Sequence, residues 1–204
     1  MKKHSLFHCS WRVLWLALAF APACARASSC CQHAAPVVAA YSPDSVFQLN
    51  SEWTNDAGAS VSLDFLRGRW VVAGMFYASC STVCPRLLHD LKQIEAALPD
   101  SVRERTGFLL VSLDPARDVP SVLRDFRDRN ALDPARWHLW QGHPDDVRAL
   151  AAAFGVVYRA MPNGDIAHSA PILLLNPEGE IAARLDDFNS PREPLLQMLR
   201  EASP

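Results

Sequence analysis

Apolar positions along the chain fall into runs of two kinds. The stretch Trp70-Val71-Val72-Ala73-Gly74-Met75-Phe76 is apolar almost without a break, which is the pattern of a central strand covered on both faces. Gly107 to Leu113 repeats it, and Trp137 to Trp140 makes a shorter third strand. Between the first two, Leu87, Leu88, Leu91, Ile94 and Leu98 recur at helical spacing. Pro85 suits the first turn of that helix, where a missing N–H costs nothing, and Pro99 stops it. A helix is expected over 121–130, and another over 144–154, with Gly155 in the position where helices end. Val156 to Arg159 reads as a short strand, followed by a turn at Pro162-Asn163-Gly164. Ile172 to Leu175, Asn176-Pro177-Glu178-Gly179 and Glu180 to Leu185 spell strand, turn, strand. A last helix over 194–202 sets Leu195, Leu196 and Leu199 on one face. Upstream, Val46 to Leu49 opens the domain. Asn55-Asp56-Ala57-Gly58 turns into a short strand at 60–62, and Ser62 can cap a helical turn, Leu63 to Leu66, ended by Gly68.

Strands alternating with helices, then a terminal hairpin and helix, indicate a three-layer α/β domain. The expected core is a mixed central sheet flanked by helices, with an N-terminal hairpin extension. Two cysteines stand where the first central strand gives way to a helix: Tyr77-Ala78-Ser79-Cys80-Ser81-Thr82-Val83-Cys84-Pro85. That order of elements is the order of a thioredoxin-like fold.

The chain has 204 residues, half of them hydrophobic, and a formal net charge of −2. There is no basic stripe, so nucleic acid is not an expected partner. Lys2, Lys3 and Arg12 precede a short apolar run, Val13 to Ala21, and the small residues around Ala23-Cys24-Ala25 or Ala25-Arg26-Ala27. This is the three-part pattern of an export signal, and the run is short of the roughly 20 residues of a spanning helix. Residues 1–27 are therefore expected to be a signal peptide or N-terminal anchor, 28–45 a flexible tether and 46–204 the folded domain. The expected location is the periplasm, free or membrane-anchored; lipid attachment at Cys24 or Cys30 is a minor alternative, since neither has an aliphatic residue three positions earlier. Thiols there tend to oxidise unless a metal or a reductant holds them. The tether contains Cys30-Cys31-Gln32-His33, which is either a second soft-metal site or an incidental sequence with no scaffold to fix its geometry.

Cys80 and Cys84 can lie on one side of a helical turn. A helix N-terminus favours the thiolate, which is both nucleophile and metal ligand. His168 precedes the terminal hairpin, in a loop that a thioredoxin-like fold carries over the cysteines. Two thiolates and an imidazole suit a soft or borderline ion, Cu(I) or Zn(II). Asp114 ends a strand at the same sheet edge, either as a carboxylate supporting the site or partner recognition, or as a turn residue before Pro115. His89, His138 and His143 are expected in structural or surface roles, His143 as a helix cap. Tyr77 and Met75 are expected in the core.

These motifs together resemble the SCO/SenC family of copper chaperones. The resemblance covers roughly Val46 to Ala202. It rests on Asp56-Ala57-Gly58 before Leu66-Arg67-Gly68-Arg69, then Phe76-Tyr77 with Cys80 and Cys84-Pro85. Ser112-Leu113-Asp114-Pro115-Ala116-Arg117-Asp118, Phe154-Gly155-Val156, His168-Ser169 and Leu174-Leu175-Asn176-Pro177-Glu178-Gly179 follow in order. One position departs: Ser81 follows Cys80 where the family commonly has proline, a change that acts on loop stiffness more than on ligation. The resemblance implies one copper ion, Cu(I) or Cu(II), on Cys80, Cys84 and His168. It implies delivery to the copper-receiving subunit of cytochrome c oxidase or another exported copper protein, or reduction of that subunit's cysteines with a thiol reductant behind it.

Two function classes follow. A metallochaperone binds and hands over its ion without turnover. A thiol–disulfide oxidoreductase attacks with one cysteine and resolves with the other, although the spacing here is C-x-x-x-C and not C-x-x-C. No Pro-x-x-x-Thr-x-x-Cys pattern supports a peroxidase. A purely structural Cys80–Cys84 disulfide is the remaining alternative.

Overall fold

The computed structural model describes residues 41–202. The export segment and Cys30-Cys31-Gln32-His33 lie outside the described residues. No helix among the described residues is long and apolar enough to cross a membrane.

The strands are β1 (Trp53–Asn55), β2 (Ser60–Val61), β3 (Trp70–Phe76), β4 (Thr106–Ser112), β5 (Trp137–Gly142), β6 (Tyr158–Ala160), β7 (Ile166–His168), β8 (Ile172–Leu175) and β9 (Ile181–Leu185). The helices are α1 (Val83–Ala97), α2 (Asp100–Arg103), α3 (Pro120–Arg129), α4 (Pro144–Ala153) and α5 (Glu193–Glu201). Seven strands form one sheet in the order β2-β1-β5-β4-β3-β8-β9. β3, β4 and β5 are parallel, and the pairs outside them are antiparallel. The N-terminal hairpin β1–β2 extends the sheet at the β5 edge, and β8–β9 extends it beyond β3.

The near-continuous apolar strands are buried on both faces, as their composition requires. Val72 and Phe76 of β3, with Phe108 and Leu110 of β4, meet Leu87, Leu91 and Ile94 of α1, Leu123 and Phe126 of α3, and Leu195 and Leu199 of α5. The alternate residues, Val71, Ala73, Met75, Leu109 and Val111, meet Leu150 and Phe154 from α4 and its end, and Phe47, Leu63 and Leu66 from the N-terminal segment. Met75 thus points away from the cysteine side of the sheet.

Local chemistry closes the elements. Gly155 has φ +60°, and the Gly155 and Val156 amides return to the carbonyls of Ala152 and Ala151, a Schellman ending for α4. Gly179 has φ +82°, and a Cβ there would sit 2.7 Å from the Phe47 ring, so the turn between β8 and β9 demands glycine on two counts. Ser62 occupies the N-cap position of the 3₁₀ turn Leu63–Leu66, but its side chain makes no capping bond. His143 does cap α4, its Nδ1 accepting the Asp145 N–H at 3.3 Å. Tyr41 to Ser45 lie against the domain: Tyr41 donates to Asp64, and Ser45 Oγ donates to the Glu178 carbonyl at 2.6 Å.

β3 and β4 run in register to Phe76 and Ser112. Their C-terminal ends therefore release two loops side by side, 77–82 and 113–119. Such an edge is where parallel α/β sheets place their sites. β6 and β7 stand apart as a separate two-stranded ribbon, and the ribbon reaches over that edge.

Candidate metal centre

Tyr77 leaves β3 buried, and the chain turns at once, with the Cys80 N–H donating to the Tyr77 carbonyl at 3.2 Å. Cys80 stands half-buried ahead of α1, while Cys84 is buried in its first turn; both are free thiols. The N-cap residue Thr82 gives α1 no side-chain cap. Cys80 supplies an acceptor instead, taking the Cys84 N–H on its Sγ at 3.4 Å. The helix start thereby satisfies one of its open N–H groups with a sulfur, which favours negative charge on that sulfur.

The two thiols are driven apart. Partial burial raises the Cys80 thiol. Hydrogen bonds from the Cys84 and Thr82 amides, from the Cys84 thiol and from the Tyr77 hydroxyl outweigh burial and hold Cys80 at about 6. Burial pushes the Cys84 thiol far above the ordinary range, and the neighbouring Cys80 adds to the effect. At neutral pH the metal-free site holds a thiolate at Cys80 and a thiol at Cys84.

His168 does not sit in a loop, as its sequence surroundings suggested. It ends β7, paired across the ribbon with Tyr158. Its Nδ1 lies 2.9 Å from the Ser169 carbonyl. A carbonyl only accepts, so Nδ1 carries the proton and the Nε2 lone pair is free. Nε2 lies 3.5 Å from Cys84 Sγ, and the Tyr77 ring packs edge-on against the imidazole at 5.8 Å. The donor atoms of Cys80, Cys84 and His168 all lie within 4.8 Å of one another, and no other group of three or more His, Cys, Asp or Glu among the described residues is so arranged. Metal bonds of about 2.0–2.3 Å to nitrogen and sulfur would put three trigonal donors about 4 Å apart. Two sulfurs and an imidazole are a soft set, and the group fits copper.

Asp114 is buried at the same edge, but it turns to its own loop and pairs with Arg117. The carboxylate that reaches the cysteine loop is Asp118. It is 1% exposed, and its Oδ2 accepts the Ala78 N–H at 2.9 Å and the Ser112 hydroxyl at 2.6 Å. Burial raises its pKa, against the lowering effect of those two bonds. In the sequence Asp118 is marked only by its place two residues before the Pro120 helix start and within the Ser112 to Asp118 motif. His89 is exposed on α1. His138 is buried on β5 against Phe65, its Nε2 without a partner, and burial with nearby Arg69 lowers its pKa to about 4. Neither belongs to the three-donor group. A cavity of about 720 Å³ lies past the 113–119 loop between Trp53, Pro115 and His143, away from the three donors. The centre stands at the edge of the sheet, with Cys80 and His168 half-buried.

Residues 40–203 match the family model described as SCO1/SenC. The chain belongs to the SCO1/SenC family. A curated relative from Stutzerimonas stutzeri, named for copper binding, is 26% identical over 128 residues. The match spans 61% of each chain, so this chain covers less than two thirds of that relative. The crystal structure of a SCO1/SenC family lipoprotein from Bacillus anthracis superposes with TM-score 0.67 at 22% identity, over 74% of this chain and 90% of that one. Bradyrhizobium japonicum ScoI with copper bound gives TM-score 0.63 at 21% identity, over 74% and 96%. These two likenesses establish the shared SCO1/SenC fold, which is the thioredoxin-like architecture expected from the sequence.

Proposed function

We propose that this SCO1/SenC chain is an exported copper metallochaperone that binds one copper ion through Cys80, Cys84 and His168 and delivers it to a copper site of cytochrome c oxidase. The observation that carries the reading is the convergence of three donors from two separate elements: the thiols at the head of α1 and the imidazole at the end of a ribbon outside the main sheet. Family membership and the copper bound by Bradyrhizobium ScoI support copper as the ion. Copper here is cargo. Three protein donors leave an approach open, and half-buried Cys80 and His168 stand on the exposed side. A thiolate of the receiving protein can enter there and take the ion by stepwise ligand exchange.

The N-terminal pattern supports export, with residues 1–27 as signal or anchor, 28–45 as tether and the remainder as the copper-binding domain. The lipoprotein among the structural relatives agrees with an exported, membrane-tethered protein.

A second reading is favoured by the inequality of the thiols. Cys80 is the acidified, accessible member and Cys84 the buried, protonated one. A Cys80 thiolate can attack a partner disulfide and release one partner thiolate. Cys84, deprotonating as it attacks, then resolves the mixed disulfide, leaving Cys80–Cys84 oxidised and the partner dithiol reduced. An external thiol reductant must restore the pair. One dithiol can serve both uses.

The deciding experiment is Cu(I) titration of the reduced chain with X-ray absorption of the loaded form, repeated with Cys30→Ser, Cys31→Ser and His33→Asn. One copper with two sulfurs and one nitrogen supports the chaperone. A second copper lost with the triple substitution makes the tether a second site. No stable copper, together with rapid reduction of partner disulfides, moves the function to the oxidoreductase.

A further inference from the structure

The three donors belong to two elements of unequal build, and the second rests on the core through half-buried Ile166 and Tyr158. The thiols are fixed by α1, whose Leu87, Leu91 and Ile94 are buried in the core. His168 rides on β6–β7, a ribbon of two three-residue strands that pairs with no strand of the main sheet. An isolated two-stranded hairpin is marginal in water, so something must hold this one in place over the thiols.

Tyr77 touches both halves of the centre. Its carbonyl accepts the Cys80 N–H at 3.2 Å. Its hydroxyl accepts the Ile166 N–H of β7 at 3.4 Å. Its ring supports the His168 imidazole. Tyr77 thus links the two elements, its backbone fixed to Cys80 and its hydroxyl oxygen to the ribbon. At the far end of the ribbon, Arg117 donates to the Gly164 carbonyl at 2.7 Å from an exposed position. Tyr77 is 3% exposed, so its bond to the ribbon is the more shielded from water, although the longer of the two.

We propose that Tyr77 is the positioning residue of the centre: its hydroxyl pins the His168 ribbon to the dithiol loop and sets the third donor within reach of the other two. Tyr77 does not ligate. It acts through His168 by removing ribbon positions in which the imidazole is out of range, so the ordering cost of bringing in the third donor is met during folding and not during metal capture. The inference rests on the Cys80, Cys84, His168 reading of the site.

The test uses the full chain with Tyr77→Phe, which keeps the ring and its packing and removes only the hydroxyl. In the metal-free protein, the Ile166 amide should exchange with solvent roughly tenfold faster, while core amides of β3 and β4 and the thermal unfolding midpoint stay as in the parent. In the loaded protein, Cu(I) affinity measured by competition should fall about tenfold, within the range seen when groups that orient ligands are removed. X-ray absorption should show a weaker nitrogen contribution beside two unchanged sulfurs. In a His168→Ala background, Tyr77→Phe should cost less than about twofold, because the residue it positions is gone. Equal losses in both backgrounds, or unchanged Ile166 exchange, would overturn the proposal. If His168→Ala alone keeps full copper affinity, the three-donor reading fails; the metal-free exchange experiment still decides whether Tyr77 pins the ribbon.

Discussion

The two halves of the metal centre are built in opposite ways. The dithiol half is an outgrowth of the core: β3 is buried along its length, Tyr77 continues the burial, and Cys84 is already packed when α1 begins. The imidazole half is a half-exposed ribbon, joined to the main body by a few hydrogen bonds and by the packing of Ile166 and Tyr158. The first half fixes a geometry; the second can yield. A carrier needs both, because a site equally rigid throughout would hold its ion against any receiver, and one equally loose would not capture it.

The largest effect expected from this difference is at Cys84. Structural zinc sites with about four ligands gain ≈10–16 kcal/mol from the metal, or about 3–4 kcal/mol per ligand, which is roughly a 10³-fold change in affinity. Cys84→Ala should lose at least that, since the described residues offer no other three-donor group. His168→Ala should lose less, about 10²-fold, because a neutral imidazole attracts a soft cation less strongly than a thiolate does. Competition titration with a Cu(I) chelator measures both. A larger loss at His168 than at Cys84 would reverse the assignment of firm and yielding halves.

Reactivity should divide the thiols of the rigid half just as sharply. Cys80 titrates at about 6 in the metal-free protein because bonds from amides and Tyr77 overcome its partial burial. Its alkylation rate should rise about tenfold per pH unit below pH 6 and level off above pH 7, since only the thiolate reacts. Cys84 should remain unmodified across that range, its thiol raised by burial. Mass spectrometry of the alkylated chain gives both profiles in one experiment, and equal labelling of the two cysteines at pH 7 would show that the asymmetry is wrong.

The same contrast governs what could be read from the sequence. The rigid half announces itself locally. A continuous apolar run, a cysteine pair and a helical period lie within thirty residues of one another (70–98), and the Asn176 to Gly179 turn and the Gly155 helix ending carry equally local signals. The ribbon does so only in part. The strand expected over 156–159 overlaps β6, but β7 is three residues long and at most half-buried, too short for an alternation of polar and apolar residues to mark it, and His168 looked like a loop residue. α2 was hidden for a similar reason, because Pro99 reads as an end although four residues beyond it turn helical again. The roles of Tyr77 and Asp118 were invisible because each depends on a partner far along the chain, Ile166 and Ala78 respectively, and burial made Tyr77 look like ordinary core.

Asp118 offers the smallest effect and the finest discrimination. Its carboxylate ties the cysteine loop to the end of β4 through the Ala78 N–H and the Ser112 hydroxyl. Burial raises its pKa above the ordinary carboxylate value, with those two bonds working the other way. An acid with a raised folded pKa contributes stability that is fully present below its unfolded pKa and is lost as pH rises through the folded one. At neutral pH the ionised Asp118 is therefore a net burden on folding, kept in place by geometry. Asp118→Asn retains an oxygen acceptor for Ala78 and removes the charge. It should leave the unfolding midpoint at pH 7 unchanged or raised, and it should flatten the part of the pH–stability profile just above pH 4. Asp118→Ala leaves a buried amide and a buried hydroxyl unpaired and should cost about 1–3 kcal/mol. Copper affinity should follow the Ala78 bond and not the charge, nearly unchanged in the first variant and reduced a few-fold in the second. If both variants lose affinity equally, the charge itself acts on the metal centre, and the rigid half owes its properties to electrostatics more than to the fixing of its loop.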